Sequence, residues 1–161
     1  EKFIFSIRNF QYKDLLEKLN FNSLPLKEIL TIKDWIDTWN NSLYLSDKQI
    51  NSNWKKVLAW KDIDRFQIRS YQFIDYWNNL ANPRKPETFE SDKLLIRETW
   101  NKIIATIDTE KYYALSSLYS WLLINTDYSL KYILAILSSK VIHFVMYLIA
   151  FQKTKGAFWR L

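Results

Sequence analysis

Glycine is almost missing from this chain: Gly156 is the one glycine in 161 residues, where average usage predicts about 11. Turns that need positive φ must therefore be made by residues that carry a Cβ. Cysteine is absent, which excludes a disulfide framework and thiolate metal centres and suits a reducing cytoplasm. The single histidine, His143, leaves little for transition-metal ligation or general-base chemistry. It falls inside an apolar helical pattern, where a packing role suits it better than a catalytic one. The first residues, Glu1-Lys2-Phe3-Ile4-Phe5, lack the long apolar run and small-residue cleavage site of a secretory signal. The chain begins without Met and stops at Leu161, and is expected to be an excerpt of a longer protein.

Tryptophan is abundant instead, with eight residues. Several sit among Asn and Asp, as in Thr38-Trp39-Asn40-Asn41, Ala59-Trp60-Lys61-Asp62, Tyr76-Trp77-Asn78-Asn79 and Thr99-Trp100-Asn101. These neighbourhoods are those of turns. Hydrophobic content of 48% is that of a globular domain and argues against disorder. The most apolar stretch, Tyr132 to Phe151, is long enough for a bilayer. Ser138, Ser139, Lys140 and His143 near its middle would be costly in lipid, so it reads as a packed helix.

The net charge is +6, and nearly all of it lies at one end. From Ser129 to Leu161 there is no Asp or Glu, while Lys131, Lys140, Lys153, Lys155 and Arg160 fall there. Such a surface suits a polyanionic partner, nucleic acid first. Ordinary solubility charge explains it about as well.

The pattern predicts an α+β domain: an antiparallel β-meander with a short N-terminal helix and a long amphipathic C-terminal helix. Asn9 is placed to cap a helix from Phe10 to Leu19. Leu26 to Ile36 suits a strand or a short helical turn, and Thr38 to Asn53 reads as a loop. Lys55 to Tyr76 reads as two extended segments around Lys61-Asp62-Ile63-Asp64-Arg65. Lys93–Thr99, Asn101–Ile107 and Tyr112–Ile124 form three strand-like runs with short polar breaks. Ser129 or Asp127 then caps a helix running to about Phe151, with Leu130, Ile133, Leu134, Leu137, Val141, Phe144, Val145 and Leu148 as its stripe.

Catalytic chemistry is poorly supplied, and no catalytic or metal-binding residue is assigned. Glu87, Glu90, Asp92 and Lys93 loosely resemble the acidic-plus-lysine set of metal-dependent nucleases, a spacing common by chance. Binding chemistry is richer. Lys55, Lys56, Lys61, Arg65, Arg69, Arg84, Lys85, Arg97 and Lys102 punctuate the turns and strands, where cations can neutralise phosphates. Taken singly, each reads as a solvated surface charge.

The order of segments is more specific than any one residue. Lys61-Asp62-Ile63-Asp64-Arg65-Phe66 resembles the "GKDI-x-RY" signature of the TaqI-like C-terminal specificity domain. Lys93-Leu94-Leu95-Ile96-Arg97-Glu98-Thr99-Trp100 is similar to that family's "K-hydrophobic-R-x-T-G" strand and turn. Tyr132-Ile133-Leu134-Ala135-Ile136-Leu137-Ser138-Ser139-Lys140 resembles its "YILALLNSK" helix, and Gln152 to Arg160 its closing "KG-x-F-x-R" turn. Upstream, Thr31 to Trp39 resembles its "G-hydrophobic-x-T-G" entry loop. The resemblance implies a target-recognition region of adenine-N6 DNA methyltransferases and restriction-modification enzymes, possessing no cofactor of its own. Its partner would be double-stranded DNA. A methyltransferase domain with an Asn-Pro-Pro-Tyr motif, using S-adenosylmethionine, would precede residue 1; Asn82-Pro83-Arg84 is not that motif. An endonuclease could be fused to the same enzyme. The implied DNA contacts are Lys61, Arg65, Arg69, Arg97 and Lys102 near the signature turns, with Lys153, Lys155 and Arg160 at the basic end. The competing reading is a protein-interaction module that docks through its apolar C-terminal helix.

Trp35, Trp39, Trp60 and Trp100 stand where the family pattern has glycine. Independent replacement of several turn glycines by the bulkiest residue is hard to reconcile with positive φ. We therefore expect a gene that reads UGA as glycine and was translated with UGA as Trp. UGG codons at those four positions would contradict this. The literal Trp sequence should leave those indoles exposed on turns or move the backbone out of glycine geometry.

Overall fold

The computed structural model describes residues 12–21, 23–33, 35–76, 80–100, 103–146 and 159–160. Helix α1 (Lys13–Phe21) is followed by a 3-10 turn at Leu26–Glu28, strand β1 (Leu30–Lys33) and a short helix α2 (Asn41–Tyr44). Next come β2 (Leu45–Ser46), β3 (Trp54–Leu58), a 3-10 turn at Trp60–Asp62, β4 (Ile63–Asp64), β5 (Gln67–Ile68) and β6 (Gln72–Asp75). The second half holds β7 (Lys93–Arg97), β8 (Thr99–Trp100), β9 (Ala105–Asp108), β10 (Tyr113–Ala114), β11 (Leu118–Leu123), helix α3 (Leu130–Leu137) and β12 (Trp159–Arg160). The fold is α+β, with several antiparallel sheets and few helices.

One four-stranded antiparallel sheet runs β1-β11-β7-β9, and a four-stranded mixed sheet runs β10-β3-β6-β2. Strand β7 is central in the first, paired to β11 and β9, and all five of its residues are buried. Side chains alternate faces along a strand, which divides β7 between two cores. Leu94 and Ile96 join Trp121, Ile133, Leu134 and Leu137 under α3. Leu95 faces the other way and joins Val57, Leu58, Ile63, Ile74 and Leu118 of the second core. Lys93 and Arg97 share the Leu95 parity, so both charged side chains are buried as well.

The expected meander is corrected on one point. The first two runs form the hairpin β7–β9, but the third splits. Ser117 adopts φ 72° in the bend at Leu115-Ser116-Ser117. Before the bend, β10 pairs parallel to β3 of the second sheet. After it, β11 returns beside β7 rather than beside β9. The split ties the two sheets together.

The long C-terminal helix is also corrected. Ser129 caps α3 by accepting the Tyr132 amide at 3.2 Å, as its position suggested. The helix ends at Leu137, and helical structure resumes only at 140–146. Ser138 is buried in that break, where serine competes with helical hydrogen bonding. The expected stripe is buried at Ile133, Leu134 and Leu137 but exposed at Val141 and Phe144. The ring of Phe144 meets Tyr12 edge-on at 5.0 Å, which links this stretch to the start of α1. Among the described residues, no helix is long and apolar enough to cross a membrane. The proposed Asn9 cap and the stripe beyond Met146 lie outside the described residues.

Thr38–Asn53, expected as a loop, contains α2 and β2. Asn40 caps α2 through the Ser42 amide at 3.0 Å. Among the described residues, positive φ occurs at Phe66, Arg84, Lys111 and Ser117, and at no Trp. Trp39 and Trp60 are exposed, as expected for bulky residues in glycine-type turns. Trp35 is half-buried, its indole N–H donating to Asp37 at 3.1 Å.

Candidate nucleic-acid interface

The signature Lys61-Asp62-Ile63-Asp64-Arg65-Phe66 folds into a two-stranded hairpin, β4–β5, outside the larger sheets. Ile63 pairs with Ile68 and Asp64 with Gln67, leaving Arg65 and Phe66 as the two tip residues. A two-residue hairpin turn needs positive φ, and with no glycine present Phe66 supplies it at 68°.

Asp62 holds the base of this hairpin. Its carboxylate is buried, accepting the Ala59 amide at 2.8 Å and the Ser70 hydroxyl at 2.6 Å. Its carbonyl accepts the Arg69 amide at 2.7 Å. One residue thus closes the loop on both sides. Asp64 does similar work nearer the tip. It accepts the Arg65 amide at 2.8 Å and pairs with the Arg69 guanidinium. The Arg65 amide, aided by Arg69 and Arg97, holds its carboxyl below the usual carboxylate range.

Three further bonds fix the hairpin to the body. The Phe66 amide donates to the Ala105 carbonyl at 3.0 Å. Arg65 donates to the Ser138 carbonyl at 2.6 Å, reaching the break after α3. Arg97 donates to the Ile63 carbonyl from β7 and lies 5.4 Å from the Trp60 ring. Burial lowers the Arg97 pKa from its usual value.

The hairpin thus brings Lys61, Arg65 and Arg69 together on an exposed unit. Lys61 also lines an open cleft of about 440 Å³ with Asn41, Ser42, Trp60, Gln72 and Ser116. Arg97 is different: it is buried, and its guanidinium donates inward to the Ile63 carbonyl. The backbone of Arg160 lies opposite Thr99 in the β8–β12 pair, two residues beyond Arg97. Lys102, Lys153 and Lys155 lie outside the described residues.

In the acidic-plus-lysine set, Lys93 is turned inward. The Lys93 ammonium is fully buried, 2.5 Å from Asp108 and 2.6 Å from the Phe89 carbonyl. Burial pulls its pKa down while Asp108 opposes the shift. Glu90 accepts the Tyr113 hydroxyl at 3.0 Å. Among the described residues, no group of three acidic or histidine side chains could hold a metal. The docking-helix reading also weakens, because Ile133, Leu134 and Leu137 of α3 are buried against the chain's own sheet.

A family profile described as the TaqI-like C-terminal specificity domain matches residues 55–161. The chain belongs to this family. It is therefore a DNA-recognition domain of the restriction-modification type, as the signature at the hairpin had implied. Comparison with individual curated proteins gives no match. The specificity-domain segment begins within β3 and takes in the hairpin, both halves of the β7–β9 ladder and α3.

Sequence alone missed the roles of Asp62 and Asp108. Both carboxylates accept backbone amides a few residues away, a local pattern Asp shares with many turn positions. The only sequence signal was that each stands beside a turn.

Proposed function

We propose that this chain is the target-recognition part of a cytoplasmic restriction-modification enzyme. It would bind duplex DNA in a sequence-specific manner and position it for a neighbouring adenine-N6 methyltransferase domain. The same arrangement serves an enzyme with an endonuclease fused to it. The observation that carries this reading is the moored, cation-bearing hairpin built by the family signature. Lys61 and Arg69 are its outward charges, suited to phosphate contact. Arg65 contributes at the tip, while Arg97 acts from behind by holding Ile63. Lys102, Lys153, Lys155 and Arg160 extend the same basic character along the chain.

The chain carries no Asn-Pro-Pro-Tyr sequence, so S-adenosylmethionine and the methyl transfer are assigned to the neighbouring domain. The present residues supply recognition, by phosphate contacts that set register and base contacts that read sequence.

The test is duplex binding by the full chain over a salt series. Log affinity should fall with log salt by about 0.9 per phosphate contacted. Lys61 and Arg69 alone predict a slope of at least about −2. A flat salt dependence, or no duplex binding by the full chain, would overturn the reading.

A further inference from the structure

Phe66 is poorly explained by the fold that holds it. Its backbone sits at φ 68°, where Gly or Asn is favoured and a bulky residue is an outlier. Its ring is 55% exposed at the tip of the hairpin. Packing therefore gains little from the ring, and the backbone would be easier with a smaller residue. Strain of this kind persists where the surroundings over-determine it, and it clusters at functional sites. Here the surroundings do so: the Phe66 amide is held by Ala105, and Arg65 is tied to Ser138. Asp64 is tied to Arg69 across the base of the turn. The Arg65 guanidinium lies 4.8 Å from the ring centre, bracing the aromatic from one side.

We propose that Phe66 is a wedge that enters the base stack of bound duplex DNA, with Arg69 and Lys61 gripping the flanking phosphates. This rests on the DNA-recognition reading above. Apolar side chains that part base steps act in this way, and the unstacking they impose is repaid by closer wrapping of the duplex. The Arg65 guanidinium on one side of the ring restricts it before binding, which reduces the side-chain freedom lost on binding.

The test compares wild type, Phe66→Asn and Phe66→Tyr in the full chain, on duplexes carrying 2-aminopurine at successive steps. Asn suits the left-handed backbone, so Phe66→Asn should keep or raise the Tm, which checks that the hairpin is intact. It should lower DNA affinity roughly tenfold to hundredfold, in line with the loss of one aromatic–base contact. Its salt slope should match wild type, because no charge is lost. The fluorescence rise that reports unstacking should appear with wild type and Phe66→Tyr and vanish with Phe66→Asn. If wild type binds duplex and Phe66→Asn binds equally well with the same fluorescence, the wedge is overturned and DNA recognition stands. If wild type binds no duplex, the recognition reading falls and takes the wedge with it.

Discussion

Asp108→Ala is expected to destabilise the chain by about 3–5 kcal/mol, the cost of breaking a buried ion pair from one side. Asp108 is fully buried and faces the Lys93 ammonium across the β7–β9 ladder, where the two residues are register partners. The same carboxylate accepts the Glu110 amide at 2.8 Å and the Tyr112 amide at 2.9 Å. Removing it leaves the buried ammonium with the Phe89 carbonyl but without its carboxylate partner, and strips two amides of their acceptor. Lys93→Met should cost less, because Asp108 then keeps both amide donors and the methionine fills the stem's volume. Urea unfolding of the three chains measures the order. An Asp108→Ala loss below about 1 kcal/mol, the size of an exposed pair, would show that the pair is not structural. Equal losses for the two variants would show that the amide contacts contribute nothing beyond the ion pair.

Much of the first sheet was legible because β7 is a short, bounded apolar run and β9 follows it after one polar break. The helix start at Ser129 was legible for the same reason: a capping residue stands directly before the periodic stripe. The order of strands was not. The bend at Ser117 looks like any Leu-Ser-Ser sequence, yet it sends two halves of one apolar run into different sheets. Its positive φ is decided by tertiary pairing on both sides rather than by residue type. The break after Leu137 was hidden in the same way, since Ser138, Ser139 and Lys140 suit an exposed helix face as well as a kink.

The candidate site was half legible. The signature located the hairpin, and nearness to it together with residue type selected Lys61, Arg65 and Arg69, which the hairpin does gather. Type alone cannot distinguish an outward cation from an inward one, and that distinction separates Arg97 from the rest. Arg97 shares strand parity with Leu95, a residue of the core between the sheets. Once β7 is known to be buried on both faces, the inward position of Arg97 follows from period two. Without the strand order, nothing in the sequence shows that both faces are covered.

Arg97 therefore yields the sharpest functional contrast. Arg97→Ala is expected to lose about 1.5–3 kcal/mol of stability, the usual worth of a hydrogen bond from a charged group. It leaves the Ile63 carbonyl without its guanidinium donor and loosens β4 at the root of the hairpin. Arg97→Lys should rescue little, because an ammonium lacks the planar fork and the face that lies near Trp60. DNA affinity should fall at every salt concentration while the salt slope stays that of wild type, since no phosphate contact is removed. Lys61→Ala and Arg69→Ala should behave oppositely. Lys61→Ala should leave the Tm nearly unchanged and Arg69→Ala should lower it only by the worth of an exposed pair with Asp64, at most about 1 kcal/mol, while each makes the slope shallower by about 1. Binding measured across a salt series, with thermal unfolding of the same preparations, separates the two classes. A shallower slope for Arg97→Ala with an unchanged Tm would mean that its guanidinium turns outward to the duplex. The hairpin would then be held by Asp62, Arg65 and the Phe66 amide without it.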